Sequence, residues 1–276
     1  MLSYGNFRFL RVDTDELKEK TFRLRYEVYV EEFGFEDPAD HPGGRETDAY
    51  EDVSAHFVSL DPEDEVVGTI RLILHSDRGF PIEKAVDLHF PGEKPPPEKM
   101  AEISRLAVSH KYRRRHADGV YGVESYLPAS EGGAVPEQGK VPREYRKRRN
   151  PVIVMGLYQI MYQESKRMGL THWYMITQDK MYRLFKRLGF VFHPVGEPVE
   201  YHGLRRPYLG VISEMEAAMM RENPVLMRLL LQGLEKEYRP DFSVREQLKA
   251  LGQIPHFTRK GFRLWKGRLV EPKRRK

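Results

Sequence analysis

Three β-like runs follow one another between residues 53 and 108, with helical patterns on either side, and this order constrains the fold more than any other feature of the chain. Residues 53–60 and 66–74 are dense in Val, Ile, Leu and Phe, and Asp61-Pro62-Glu63-Asp64 between them reads as a hairpin turn. A third run, 100–108, follows the proline-rich connection Pro95-Pro96-Pro97. Ahead of them, residues 7–12 alternate like a short strand. A helix is expected over residues 14–33, capped by Asp13 or Thr14 with Asp15 and Glu16 in its first turn. After them, Pro151 opens a helix that runs to Met168 and ends at Gly169; 171–177 reads as a strand, 179–188 as a short helix, and 190–193 and 208–213 as two more strands. The order β-α-β-β-β-α-β-α-β-β describes an α/β layer protein.

Two segments stand outside that pattern. Residues 36–52 form an acidic loop with Glu36, Asp37, Asp40, Glu46, Asp48, Glu51 and Asp52, in which Arg45 is the only Lys or Arg. Residues 111–150 carry Lys111, Arg113, Arg114, Arg115, Lys140, Arg143 and the basic stretch 146–149 against five acids, and read as a long mobile insertion. The domain reading is a core over residues 1–213 interrupted by this insertion, then one or two helices and a basic tail over 214–276.

Composition removes several function classes. The 276 residues contain no cysteine, which excludes disulfides, thiolate metal sites and any acyl relay through an enzyme thiol. The longest strongly apolar run, 152–158, stops at Gln159, short of the ~20 residues a membrane span requires. The N-terminal residues lack the basic and apolar regions of a signal peptide, so a cytoplasmic location is expected. No Gly-x-Gly-x-x-Gly follows a strand, and no Walker loop, His-Glu-x-x-His, EF-hand or Gly-x-Ser-x-Gly pattern occurs, so neither a metal nor a tightly bound cofactor is expected.

What remains is a set of charged residues near strand ends: Arg25, Glu46, Asp48, Arg71, Glu102 and Arg105. Arg71, Glu102 and Arg105 interrupt runs that are otherwise apolar, and buried charge is costly unless paired. One reading is an ion-pair network fixing the acidic loop onto the sheet. The other is a polar pocket for a charged small molecule with a carboxylate poised as base. In a regular strand Glu102 and Arg105 point to opposite faces, so a shared site requires a bulge between them.

The segments Arg25-Tyr26-Glu27-Val28-Tyr29-Val30-Glu31-Glu32-Phe33-Gly34-Phe35, Glu46-Thr47-Asp48-Ala49-Tyr50, Val67-Gly68-Thr69-Ile70-Arg71-Leu72 and Glu102-Ile103-Ser104-Arg105-Leu106-Ala107-Val108 resemble, in order, the motifs of the N-acyl-homoserine lactone (autoinducer) synthases and the N-acyl amino acid synthases. Both families have the Gcn5-related N-acetyltransferase (GNAT) fold, whose closing signature resembles Leu184-Phe185-Lys186-Arg187-Leu188-Gly189-Phe190. The basic insertion and extended C-terminus are most similar to the acyltransferases associated with the exosortase and PEP-CTERM sorting system. The resemblance covers residues 5–213. It implies a three-layer α/β/α sandwich with a mixed, splayed central sheet, plus a helical C-terminal extension. It also implies transfer of a fatty acyl group from an acyl carrier protein or acyl-CoA thioester to the amine of an amino acid or related metabolite.

Carried over by residue, the resemblance makes Glu102, Asp48 and Arg105 catalytic, and Arg25, Tyr29, Phe35, Glu46 and Arg71 substrate-binding. Three positions depart from the families. Glu51 stands where the autoinducer synthases have a second aspartate and Phe35 where they have tryptophan, which points to an amine other than S-adenosylmethionine. Phe185 stands where many acetyltransferases have a tyrosine acid.

The chemistry agrees with these roles. An alkylammonium with pKa near ~10 must lose its proton before it attacks, and Glu102 is the first choice for that base, with Asp48 second. The oxyanion needs N–H donors, for which strand 103–108 is the natural source. Acetyltransferases that bind coenzyme A carry a glycine-rich turn after this strand, but here Val108 is followed by Lys111, Arg113, Arg114 and Arg115. These are the donor-binding candidates, and their charge favours an acidic acyl carrier protein over coenzyme A. Two alternatives stay open: an N-acyl-homoserine lactone synthase using S-adenosylmethionine, and a nucleic-acid-binding protein using the basic patches. His56 reads as a core or edge residue. Trp173, Tyr174 and the methionines Met155, Met161, Met168, Met175 and Met181 read as core, with an acyl pocket as the second possibility.

Overall fold

A computed structural model describes residues 1–90, 92–113, 152–201 and 203–242, together with two strands at 263–265 and 268–270. Strands β1 (Leu2–Tyr4), β2 (Phe7–Arg11), β3 (Ser54–Leu60), β4 (Val66–Leu74) and β5 (Met100–Val108) form an antiparallel run. β6 (His172–Thr177) pairs parallel to β5, and β9 (Leu204–Val211) returns antiparallel to β6. The short strands β7 (His193–Pro194) and β8 (Val199–Glu200) attach to β9, completing a nine-stranded mixed sheet. β10 (Arg263–Trp265) and β11 (Arg268–Val270) pair as a separate hairpin.

Alternation along the strands sorts their residues onto two faces. Helix α1 (Asp15–Tyr26), capped by the Thr14 side chain as its sequence demands, covers one face, where Leu24 and Val28 pack on Val58, Leu60, Val66 and Ala107. Helix α3 (Val152–Arg167) covers the other, with Ile153, Val154, Leu157 and Met161 against Phe9, Phe57, Ile70 and Leu72. Helices α4 (Asp179–Leu188), α5 (Ile212–Glu222) and α6 (Pro224–Leu231) join that second layer through Met181, Phe185, Met215, Met219, Met227 and Leu230. The short helix α2 (Pro81–Ala85) sits on the first face, where Phe80 and Ile82 pack with Met100, Tyr174 and Leu209.

Several boundaries differ from those the sequence predicts. The first helix becomes a π-helix over Glu27–Glu32, with Phe33 N–H reaching back to Val28 C=O at 3.2 Å. Residues 190–192 are not a strand: Gly189, at φ 93°, closes α4 with Phe190 N–H on Phe185 C=O, and Phe190 and Phe192 are buried as side chains without joining a ladder. Ile212 and Ser213 open helix α5 rather than ending a strand, because the apolar positions from Ile212 onward recur with helical spacing. Helix α2 is too short to leave a periodic signal and is missed altogether. Pro151 and most of the basic insertion, including Arg114 and Arg115, lie outside the described residues.

Two irregularities in β5 shape the centre of the sheet. Its parallel pairing with β6 runs only from Met100↔His172 to Ile103↔Met175, so the two strands part beyond that point. Against β4 the register slips by one residue between Thr69↔Ala107 and Arg71↔Ser104, and Arg105 there takes φ 49°. This is a β-bulge with a non-glycine residue in the left-handed region. It inverts the alternation, which is why Glu102, Ser104 and Ala107 share the α1 face while Leu106 packs among the α3-side core.

Candidate active site

Helix α1, the π-helix, the acidic loop, β4 and β5 converge on one charged hub. Arg25, fully buried on α1, donates from Nε to Glu46 at 2.5 Å and from Nη2 to Glu51 at 2.7 Å. Arg71 on β4 holds Asp48 through both terminal nitrogens at 2.8 and 2.7 Å, reaches Glu51 at 2.8 Å, and donates from Nε to Ser104 Oγ at 2.9 Å. Arg105, turned by the bulge, donates to Glu46 at 2.9 Å and approaches Asp48 at 3.3 Å and Glu36 at 3.5 Å. Its guanidinium lies 5.6 Å over the Tyr29 ring, and the Tyr29 hydroxyl donates to Leu106 C=O at 3.0 Å, which ties the π-helix to the bulge.

The hub is a closed exchange of charge, so it also anchors the acidic loop to the sheet. Burial pushes the Glu46, Asp48 and Glu51 carboxyls up, but Arg25 and Arg105 at Glu46, Arg71 and Arg105 at Asp48, and the His56 hydrogen bond with Arg25 and Arg71 at Glu51 outweigh it and hold all three below their ordinary values. His56 lies 3.0 Å from Glu51, and burial lowers its pKa, so it stays neutral.

Glu102 is different. It is 4% exposed, outside the ion pairs, and its Oε2 accepts from the Ile82 N–H of α2 at 2.9 Å. Burial pushes its pKa up to about 7, against the opposing pull of that N–H and of Arg71 and Arg105. A carboxyl titrating there exchanges protons readily at neutral pH.

Glu102 opens into a cavity of about 510 Å³ that runs through the gap between β5 and β6. Its polar half is lined by Tyr29, Glu36, Asp48, Arg71, Ser104 and Arg105. Its apolar half is lined by Ile103, Tyr158, Met161, Trp173, Met175 and Phe185 on the α3 side. Among the described residues β5 has no strand partner on that side past Ile103, and its edge there faces the cavity.

The structure thus brings together Arg25, Tyr29, Glu46, Asp48, Arg71 and Arg105 in or beside the hub, with Phe35 and Glu102 on the same cavity. The donor-binding candidates fall elsewhere. Val108 is buried in the ladder, Lys111 is exposed, and Arg113 turns inward to pair with Glu32 and stack 5.2 Å over Phe33. None of these three lines the cavity. Sequence reasoning missed Glu51, which bridges Arg25 and Arg71, although the substitution of glutamate for aspartate there had marked the position. It gave no role to Ser104, inside the quoted motif 102–108, to Glu36 of the acidic loop, or to Arg205, all of which line the cavity. Trp173, Met161 and Met175, read as core, line the cavity as well, whereas Tyr174 packs on the α1 face with Phe80.

Residues 24–121 match the family model of the acetyltransferase (GNAT) domain. The chain has the GNAT fold, with the mixed, splayed sheet and flanking helices that the resemblance implies. Solved structures similar to it include acyl-homoserine lactone synthases. The CoA-dependent acyl-homoserine lactone synthase BjaI, solved with SAM and isopentyl-CoA, superposes with a TM-score of 0.52 at 19% identity, over 80% of this chain and 82% of that one. TofI, solved in a ternary complex with an inhibitor and MTA, gives 0.51 at 18% identity over 80% of this chain and 100% of its own. MesI, another CoA-dependent acyl-homoserine lactone synthase, gives 0.51 at 15% identity over 86% and 98%. At these identities the likeness is one of fold. No curated protein sequence matches the chain.

Proposed function

We propose that this protein is an N-acyltransferase that moves a fatty acyl group from a carrier-bound thioester to the amine of a small molecule. The observation that carries the reading is Glu102: a buried carboxyl with pKa about 7 at the junction of a polar and an apolar half of one cavity. The acyl chain occupies the apolar half among Met161, Trp173, Met175 and Phe185, and the pantetheine arm lies along the free edge of β5. The amine enters the polar half.

Glu102, ionised, accepts a proton from the incoming ammonium, directly or through water, and the free amine attacks the thioester carbon. Asp48 suits that role less, since Arg71 occupies both its oxygens and its pKa is lowered. The tetrahedral oxyanion is met by N–H groups of β5 around the bulge. On collapse the C–S bond breaks, the nitrogen releases its second proton to solvent, and the thiolate, with a pKa of ~8.5, leaves and takes up a proton from solvent, so no acid is required where Phe185 replaces the usual tyrosine. The balance is thioester plus amine to amide plus thiol. With no cysteine in the chain, the acyl group passes directly between substrates.

For the donor, the basic sequence from Lys111 to Arg149 favours an acyl carrier protein over coenzyme A. Comparing kcat/KM for the same acyl group on each carrier decides between them. The inward pairing of Arg113 with Glu32 withdraws that arginine from any docking surface, for a carrier protein or for a nucleic acid. The decisive experiment is mass spectrometry of lipid extracts from cells overproducing the protein beside its Glu102→Gln variant. An N-acyl species present only with the former is expected, and identical extracts would remove the support for acyl transfer.

A further inference from the structure

Helix α2 supplies the N–H that meets Glu102, and a second carboxylate holds the turn that presents it. Glu83 folds back over that turn, where its Oε2 accepts from the Phe80 N–H at 3.0 Å and its Oε1 accepts from Lys94 Nζ at 2.7 Å. Between Phe80 and Glu83, the Ile82 N–H donates to Glu102 Oε2 at 2.9 Å. Gly79, at φ 66°, permits the fold-back, since a Cβ there would stand 2.9 Å from Glu83 Oε2. Phe80 and Ile82 are buried against Met100 of β5 and Tyr174 of β6, beside Glu102. The side chain of Glu83 is 23% exposed and that of Lys94 47%, so the pair reaches from solvent to the buried carboxyl.

The groups around Glu102 come from four elements. Arg71 of β4, Arg105 of β5 and the Ile82 N–H of α2 favour its ionised form, whereas Glu83 of α2 opposes it. Tyr174 of β6, beside Glu102 in register, is pushed up by burial and then by Glu83 and Glu102, so it stays neutral and adds no charge. Glutamine at position 83 would cap Phe80 equally well, so what the glutamate adds is a negative charge, which Lys94 offsets. We infer that Glu83, clamped by Lys94, is a positioning residue for Glu102: it fixes the Ile82 N–H on the Glu102 carboxyl and sets a second, partly neutralised carboxylate behind it. This rests on the reading of Glu102 as the base for acyl transfer and adds a control on when that base is ionised. Neither Glu83 nor Lys94 lines the cavity, so the pair acts through Glu102.

The test titrates Glu102 directly and through catalysis. In full-length protein with isotope-labelled glutamate carboxyls, the NMR signal that is lost in Glu102→Gln reports the Glu102 titration with no substrate present. The same proteins are assayed for transfer of one fatty acyl group, supplied on acyl carrier protein and on coenzyme A, to the proteinogenic amino acids and to S-adenosylmethionine. Glu83→Gln, which keeps the cap and removes the charge, should lower the Glu102 midpoint by at least ~0.5 pH and raise kcat/KM at pH 6 ~3-fold. Lys94→Ala, which leaves Glu83 without its cation, should move both the other way, by less because this pair is partly screened. Glu83→Ala, which also frees the Ile82 N–H, should titrate above Glu83→Gln. A midpoint in Glu83→Gln at or above that of the wild type overturns the assignment, and so does a midpoint in Lys94→Ala at or below it. If Glu83→Gln does not fold, Lys94→Ala alone decides. Midpoints that shift as expected while no acceptor is acylated from either donor uphold the positioning and reject acyl transfer. Transfer whose pH limb ignores the shifted midpoints overturns the control on catalysis.

Discussion

Glu102 and its neighbours carry carboxyls of one chemistry into two opposite environments. Glu46, Asp48 and Glu51 face arginines and stay charged, while Glu102 faces one backbone N–H and a dry wall, so its charged form is disfavoured. The sign for catalysis follows: the base is competent only when ionised. We expect kcat/KM for acyl transfer to rise about tenfold per pH unit below about 7 and to level off above it. Glu102→Gln should lose at least ~100-fold in rate and lose that limb as well. A limb at the same pH in Glu102→Gln would assign it to another group. Because its pKa is raised on folding, Glu102 also subtracts stability as pH rises through its ordinary 4.5 toward 7, so the variant should be no less stable than wild type at pH 8.

At the scale of elements, β5 is the decisive strand. Its bulge sets Arg105 beside Glu46, and its separation from β6 opens the cavity. On the opposite face α3 packs closely against the first strands. Gly156 of α3 leaves space that a Cβ would fill at 2.3 Å from the ring of Phe9, which is itself fully buried on β2. Alanine gains ~1 kcal/mol of helix propensity there, but overpacking costs ~1–3 kcal/mol and the ring has nowhere to go. Gly156→Ala should therefore lower the urea midpoint, and an unchanged or raised midpoint would show that α3 can ride away from β2. The same helix turned outward would be a neutral or stabilising site for alanine, so the direction of the shift reports the packing.

For the whole molecule, the hub joins α1, the acidic loop and the first strands through buried ion pairs, and that makes acid its weak point. The hub carboxyls have folded pKa values below their unfolded values of 4.5 and 3.8. Each contributes stability that is fully present above its unfolded value and is lost as pH falls toward its folded one. Thermal melts between pH 7 and pH 3 should show a steep fall in Tm beginning near pH 4.5, little altered by salt, since buried pairs are poorly screened. A flat Tm across that range would mean the pairs are not formed in solution.

Much of this was legible one residue at a time. The runs 66–74, 100–108 and 179–188 coincide with β4, β5 and α4, because an apolar, β-like run or a short helical stretch is visible without its partner. Charges inside apolar runs marked Arg71, Glu102 and Arg105 for the same reason. Helix α2 and the π-helix escaped, since five or six residues carry no periodic signal, yet one supplies the Glu102 bond and the other positions Tyr29.

The sequence by itself determined the central strands β3 to β6 with helices α1, α3 and α4 around them, the absence of thiol chemistry and which charges had to find partners. Only the tertiary structure decided which partners they found. The left-handed turn at Arg105, the bridging place of Glu51 and the raised pKa of Glu102 all depend on residues 20 or more positions apart meeting in a dry interior. Burial and proximity are properties of the packed chain, and no residue type carries them alone.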